Sequence, residues 1–358
     1  MTIESLNVEE FVQQLTRPGE LIVQEIGMPR ARQWQFKSGR LVSVREQDPQ
    51  EVEYPQGADV FFVCEDSESC RQYARGIADS GVRTYFLAGG HLAWSQYFYD
   101  VVVGFDEQIK VWQIHRLAKG CLSYMVAAGE QALVVDPAYH IDYYLGLAHR
   151  EKTSIKAVVD TTVHRDHVSG GARLAAKTGS PYYVARSGGT VVSPESTAAE
   201  SEATHDVDLK MSHADRPASI RGNIQSLTQQ ATLPLGLAHI EVIPFPTEHA
   251  AGLLVNEKFL LSGNEPLRPD MLQHEDKRDV RDTVIVLPAH TETFAYLNAH
   301  GMVATTLGDI RDKQNMQRTP ITVSEPKAAE HEIYEINLQQ KKIDLAQATQ
   351  LELGRTER

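Results

Sequence analysis

From Asp160 to Gly171 the chain reads Asp-Thr-Thr-Val-His-Arg-Asp-His-Val-Ser-Gly-Gly, so that two imidazoles (His164 and His167) and the carboxylate of Asp166 fall within one short stretch. Neutral imidazole nitrogens and a carboxylate oxygen make a borderline donor set suited to zinc, iron or manganese. The bland alternative is a polar surface turn that happens to carry two histidines. Further along, three more stretches end in polar groups: Thr247-Glu248-His249, Ser262-Gly263-Asn264 and Pro288-Ala289-His290.

The elements that must position these groups are legible. Ser154–Asp160 is a short β-branched run and reads as a strand, while 169–179 opens with Ser and Gly and turns Ala/Leu-rich, as a helix start does. The motif therefore lies where a strand's C-terminal end meets a helix N-terminus, a usual place for a site in an α/β fold. Residues 240–246, 259–264 and 283–287 read as three further strands, each delivering one of the later groups at its C-terminal end.

This order and spacing resembles the metallo-β-lactamase superfamily over residues 109 to 325, and within it the persulfide dioxygenases and their glyoxalase II relatives. Gly120-Cys121-Leu122-Ser123-Tyr124, Val134-Val135-Asp136-Pro137, His167-Val168-Ser169-Gly170-Gly171, Arg268-Pro269-Asp270 and Thr305-Thr306-Leu307-Gly308 carry the likeness. The resemblance implies an αββα sandwich. Two positions depart from the pattern: Thr162 stands where the family places its first His, and Asn264 where it places a metal-binding Asp. Of the three iron ligands the resemblance implies for a dioxygenase, only His249 remains. Of the second-site ligands, Asp166, His167 and His290 remain, and three protein ligands with an open fourth position suffice for a catalytic zinc.

Residues 1 to 100 resemble a rhodanese domain. A buried strand ends at Cys64, a loop and then a helix from Arg71 to Asp79 follow, and after the strand Arg83–Leu87 comes Gly89-Gly90-His91-Leu92-Ala93-Trp94. The resemblance puts Cys64 at the sulfur-carrier position. The loop after it carries Glu65, Asp66 and Glu68 with no Arg before Arg71, and carboxylates beside a thiol disfavour the thiolate. Cys64 is therefore expected to be a weak carrier or inactive, and Cys70 to be structural.

With 358 residues the chain is long enough for two domains, and 42% hydrophobic with 23% charged residues is ordinary for a globular protein. A net charge of −13 argues against nucleic acid as a partner, and no apolar run reaches bilayer length. The acidic, polar start without a basic and then apolar segment makes a cytoplasmic location the expectation. Three cysteines in a chain this long do not suggest a disulfide framework.

Taken in order, the expected organisation is an N-terminal rhodanese-like α/β domain (1–100), a linker (101–110), a metallo-β-lactamase-type αββα sandwich (111–325) and a C-terminal helical segment (326–358). Residues 4–15 show helical spacing, and 111–115, 121–128 and 131–135 form a strand meander. Residues 143–149 read as a helix and 182–184 as a strand. Residues 187–238, rich in Ser, Thr, Gly and Glu at their start, read as an insertion or lid, with His205, His213 and His239 as solvated loop residues.

Two functions follow. In the first, one divalent ion, zinc in preference to iron, sits on Asp166, His167 and His290. His164 and His249 position water or substrate, Asn264 donates a hydrogen bond, and the substrate is a small thiol persulfide or thioester. In the second, the chain is a pseudoenzyme, with no metal required, that binds a thiol metabolite or a partner and regulates sulfur metabolism. Either is compatible with a homo-oligomer, and neither involves a membrane.

Overall fold

The computed structural model of the chain describes residues 3–15, 21–26, 42–45, 52–65, 67–77, 81–162, 169–185, 224–245, 250–264, 280–291 and 301–315. The statements below concern these residues.

The N-terminal part is built on a wholly parallel five-stranded sheet. Its strands are β1 (Ile3–Leu6), β2 (Leu21–Glu25), β3 (Val42–Arg45), β4 (Asp59–Val63) and β5 (Arg83–Leu87), in the order β1-β5-β4-β2-β3. β4 is central, and its alternate side chains enter two different cores. Phe61 and Val63 pack with Phe11, Leu87 and Trp94, whereas Val60 and Phe62 pack with Cys70, Ala74 and Ile77. The helices are α1 (Val8–Leu15), α2 (Ser67–Ile77) and α3 (Gly90–Ser95).

Two boundaries differ from the sequence reading. The stretch with helical spacing at 4–15 divides into β1 and α1, because Asn7 caps the helix: its Oδ1 accepts the Glu10 N–H at 2.9 Å, and its own N–H donates to Glu10 Oε2 at 2.8 Å. This is a reciprocal capping box, and it sets the helix start after Asn7. The helix expected from Arg71 begins at Ser67, which shortens the loop after Cys64.

The rest of the chain forms two sheets stacked face to face. The seven-stranded sheet runs β12-β11-β10-β9-β8-β7-β6. Its strands are β6 (Phe98–Phe105), β7 (Lys110–Arg116), β8 (Cys121–Ala128), β9 (Gln131–Val135), β10 (Ser154–Asp160), β11 (Tyr182–Val184) and β12 (Ile224–Ser226). The β7-β8-β9 meander is as the sequence suggested; the expected linker at 101–110 is instead largely β6, which pairs antiparallel with β7 along its length. The six-stranded sheet runs β13 (Thr232–Leu235), β14 (Ala238–Pro244), β15 (Ala251–Val255), β16 (Phe259–Gly263), β17 (Ile285–Pro288) and β18 (Thr305–Thr306). Part of the supposed insertion is therefore ordered, as β12, a 3-10 turn (Leu227–Gln229) and β13, and His239, expected in a loop, is an exposed residue of β14. Residues 187–213, the core of the lid reading, lie outside the described residues, as do 326–358.

A single core that includes Val111, Leu122, Val126, Val159, Leu253 and Leu261 fills the space between the two sheets. Val158 and Ile155 point the other way, onto Leu147 of α4 (Asp142–Arg150) and Leu174 of α5 (Gly171–Thr178). On the far face of the six-stranded sheet, Leu260 and Val286 pack with Leu307 and Ile310 of α6 (Leu307–Asn315). Helix, sheet, sheet, helix is the αββα sandwich the motifs implied. No described helix is long and apolar enough to cross a membrane.

Candidate functional site

The site is built at the C-terminal end of β10. Asp136, just after β9, takes a left-handed backbone (φ 51°) that costs a non-glycine residue about 1–3 kcal/mol. The turn aims its carboxylate at Thr161, whose N–H donates to Oδ1 at 2.7 Å and whose hydroxyl donates to Oδ2 at 2.6 Å. Burial pushes the Asp136 carboxyl up to about 7; the Asp160 charge acts in the same direction and the two Thr161 hydrogen bonds oppose it. Asp160 is also buried, accepts a hydrogen bond from the Tyr182 hydroxyl, and is pushed up to about 6 by burial. This pair of carboxylates locks the β10 terminus in place.

Thr162 is thereby brought to the other sheet. Its Oγ1 accepts the Asn264 N–H at 3.4 Å, it bridges to Ala250, and the Thr161 carbonyl accepts the Ala251 N–H at 2.9 Å. Gly263 makes this approach feasible. Its φ is +64°, and a Cβ there would lie 2.7 Å from both the Thr161 and Thr162 hydroxyl oxygens. The Gly263 carbonyl in turn accepts the Ala289 N–H at 2.9 Å, linking the ends of β16 and β17.

His290 follows from that link. Cys121 and His290 form a β-bridge, the Thr291 N–H donates to the Gly120 carbonyl at 2.8 Å, and the Leu122 N–H donates to the Ala289 carbonyl at 2.8 Å. His290 Nε2 lies 3.0 Å from the Lys119 carbonyl. A carbonyl only accepts, so Nε2 carries the hydrogen and Nδ1 is the nitrogen whose lone pair suits a metal. Behind this loop, Tyr124 donates to the Pro288 carbonyl and Gln113 Nε2 donates to the Tyr124 hydroxyl at 3.0 Å. Gln113 also spans both backbone groups of Val303, at 2.8 Å each.

Of the residues singled out in the sequence, Thr162, Asn264 and His290 are thus carried to one rim where the ends of β10, β16 and β17 meet. His164, Asp166, His167 and His249 lie outside the described residues, as does Arg268-Pro269-Asp270. Among the described residues no group of three or more His, Cys, Asp or Glu is placed to hold a metal ion. The described donors nonetheless suit one. Asn264 Oδ1 is buried without a hydrogen-bond partner among the described residues, and the His290 imidazole stands at the neighbouring strand end. An amide oxygen and an imidazole nitrogen are compatible donors for a borderline divalent cation. Thr161, Tyr182, Lys119 and Gln113 went unnoticed in the sequence, because each acts through a partner distant along the chain. Asp136 carried a signal, as the acidic end of an apolar strand before a proline.

In the N-terminal part, Cys64 and Cys70 are joined in a disulfide with Cα atoms 5.4 Å apart. This corrects the expectation of cysteines without a disulfide. The early start of α2 places Cys70 in the second half of its first turn, facing the strand end that carries Cys64. Both are buried.

No protein-family model and no curated protein sequence matches the chain. Among solved structures it is similar to a metallo-beta-lactamase from Staphylococcus aureus subsp. aureus COL, at 16% identity and TM-score 0.41, over 64% of this chain and 72% of that one. It is similar to ETHE1 from Myxococcus xanthus at 16% identity and TM-score 0.38, over 60% and 82% of the two chains. It is also similar to an archaeal metallo-beta-lactamase superfamily protein from Sulfolobus tokodaii at 14% identity and TM-score 0.38, over 68% and 96%. Likenesses of this degree carry no argument about activity, and the fold stands on the layer order and sheet topology given above.

Proposed function

We propose that the chain is a metal-dependent, hydrolase-type enzyme of the metallo-β-lactamase kind acting on a small thiol persulfide or thioester, with a rhodanese-like N-terminal domain. The observation that carries this reading is the rim itself: Thr162, Asn264 and His290 come from three strands of two sheets and are held there by dedicated hydrogen bonds. The five-stranded parallel sheet with Cys64 at the end of a central strand supports the rhodanese-like part.

Asp166, His167 and His290 would hold one divalent ion, zinc in preference to iron. Bound there, such an ion lowers the pKa of a water and polarises the scissile group. The Lys119 carbonyl fixes the tautomer and ring orientation of His290. Asn264 offers its amide N–H to negative charge developing on the substrate. His164 and His249 orient the water and the substrate. Thr162 supplies a neutral hydroxyl already engaged with the Asn264 backbone, so the iron set of a persulfide dioxygenase is incomplete.

That same hydrogen bond favours a second reading, in which the chain binds a thiol metabolite or a partner without turning it over. Metal analysis of protein purified without chelator separates the two. The enzyme reading expects about one divalent ion per chain, lost in His290→Ala. Folded protein that carries no metal and ignores added zinc leaves the second reading standing.

A further inference from the structure

Three strand ends of the parallel sheet converge on the Cys64–Cys70 pair. Cys64 directly follows β4, Glu25 ends β2, and the Gly89-Gly90-His91 turn leaves β5. The Cys64 carbonyl accepts the His91 N–H at 2.7 Å, and a Cβ on Gly90 would lie 2.2 Å from the same oxygen, so only glycine admits this approach. Ser67 Oγ, at the start of α2, accepts the Gly89 N–H at 2.7 Å. The turn is therefore tied to Cys64 and to the first residue of α2, three residues before Cys70. Beneath it His91 Nδ1 lies 3.6 Å from Glu25 Oε1, both side chains being buried. A second sulfur facing Cys64 changes what that cysteine can do. A persulfide formed on Cys64 has an internal thiol within bridging distance, since Cα separations of roughly 4.4–6.8 Å permit a disulfide.

We propose that Cys64 and Cys70 form a reductive dithiol couple that takes the sulfane sulfur of a low-molecular-weight persulfide and releases it as sulfide. This rests on the thiol-persulfide substrate class proposed above but not on the metal site. The Cys64 thiolate attacks the outer sulfur of R–S–SH, forming Cys64–S–SH, and R–S⁻ leaves and takes up a proton as R–SH. The Cys70 thiolate then attacks the Cys64 Sγ and displaces HS⁻, which closes the disulfide. One persulfide and two cysteine thiols thus become one thiol, one sulfide and one disulfide. The two cysteines are oxidised by two electrons and the sulfane sulfur is reduced. Two molecules of a low-molecular-weight thiol restore the couple: the first attacks the disulfide to give a mixed disulfide, and the second resolves it, leaving as R–S–S–R with both cysteines reduced.

The test uses the full-length protein, reduced, desalted and treated with glutathione persulfide under argon. Expected are about one sulfide per chain and appearance of the Cys64–Cys70 disulfide peptide by mass spectrometry. Cys70→Ser should instead retain one added sulfur atom on Cys64 and release no sulfide, and Cys64→Ser should do neither. The disulfide peptide and the sulfur retained on Cys64 report on the cysteine pair alone, so failure of the metal-site reading leaves these two results intact. Reduced wild-type protein that keeps a stable persulfide on Cys64, or that releases no sulfide, overturns the proposal whether or not the serine variants fold.

Discussion

The Asn264 backbone N–H donates to the Thr162 hydroxyl at 3.4 Å, joining the end of β16 to the end of β10 across the two sheets. These are the two positions at which the chain departs from the ligand pattern it resembles, and they are spatial neighbours. A threonine hydroxyl is a poor substitute for imidazole, and an amide lacks the negative charge that stabilises a divalent cation. The double change Thr162→His with Asn264→Asp should therefore raise iron affinity by at least the 10- to 100-fold typical of losing even a supporting group, on the order of two decades for the pair. Iron retained after gel filtration, compared with the unmodified chain, measures it; equal retention would show that the ligands are aligned wrongly.

Gly263 should be far less replaceable than Gly129. Both have positive φ, +64° and +60°, but a Cβ at Gly129 meets nothing within 4 Å, whereas one at Gly263 meets both threonine hydroxyls at 2.7 Å. Gly129→Ala should cost about 1 kcal/mol of backbone strain, and Gly263→Ala about 2–4 kcal/mol once the clash is added. Urea midpoints at constant m-value report the difference.

The buried carboxylates predict a pH dependence with a definite sign. Folding raises Asp160 to about 6 and Asp136 to about 7, above the ~3.9 of an unfolded aspartate. The folded state therefore binds these protons more tightly. Their contribution to stability is full below about pH 4 and is lost as pH rises to about 7. Asp160→Asn keeps an acceptor for the Tyr182 hydroxyl and removes one of the titrations. Between pH 4 and 7 its stability should fall less steeply than that of the unmodified chain. Parallel slopes in denaturant titrations at several pH values would contradict the assignment.

Tyr124→Phe should loosen His290 without touching it. The change leaves the Pro288 carbonyl and the Gln113 amide without the hydroxyl that joins them, and a buried group left unsatisfied costs about 1–3 kcal/mol. Zinc affinity should fall alongside stability, because the Pro288–His290 loop loses the Tyr124 side-chain tie to β8 and keeps the backbone ones from Cys121 and Leu122. A stability loss with unchanged zinc affinity would separate Tyr124 from the site.

The local pattern of the chain determined most of the elements. β5, β8, β9, β10 and β11 lie where the apolar runs end and begin, since a largely buried strand writes itself as a short continuous apolar stretch. The same pattern placed Asn264 and His290 at strand ends, which is a one-dimensional property. Helix α1 was harder, because Asn7 and Glu10 cap it through a reciprocal hydrogen bond that spacing alone does not weigh against the apolar residues before it. Only the tertiary structure decided which strand ends meet. Thr161 finds Asp136 across 25 residues, Tyr182 finds Asp160 across 22, and His290 finds the Lys119 carbonyl across 171. The pairing of Cys64 with Cys70 was missed for a related reason. Six positions of separation permit a bridge only if the helix begins early enough to turn Cys70 back toward the strand, and that start depends on how α2 packs against β4 and β5. Sequence periodicity reports which face of an element is buried, whereas contact between distant segments depends on sheet order and register, which no local window contains.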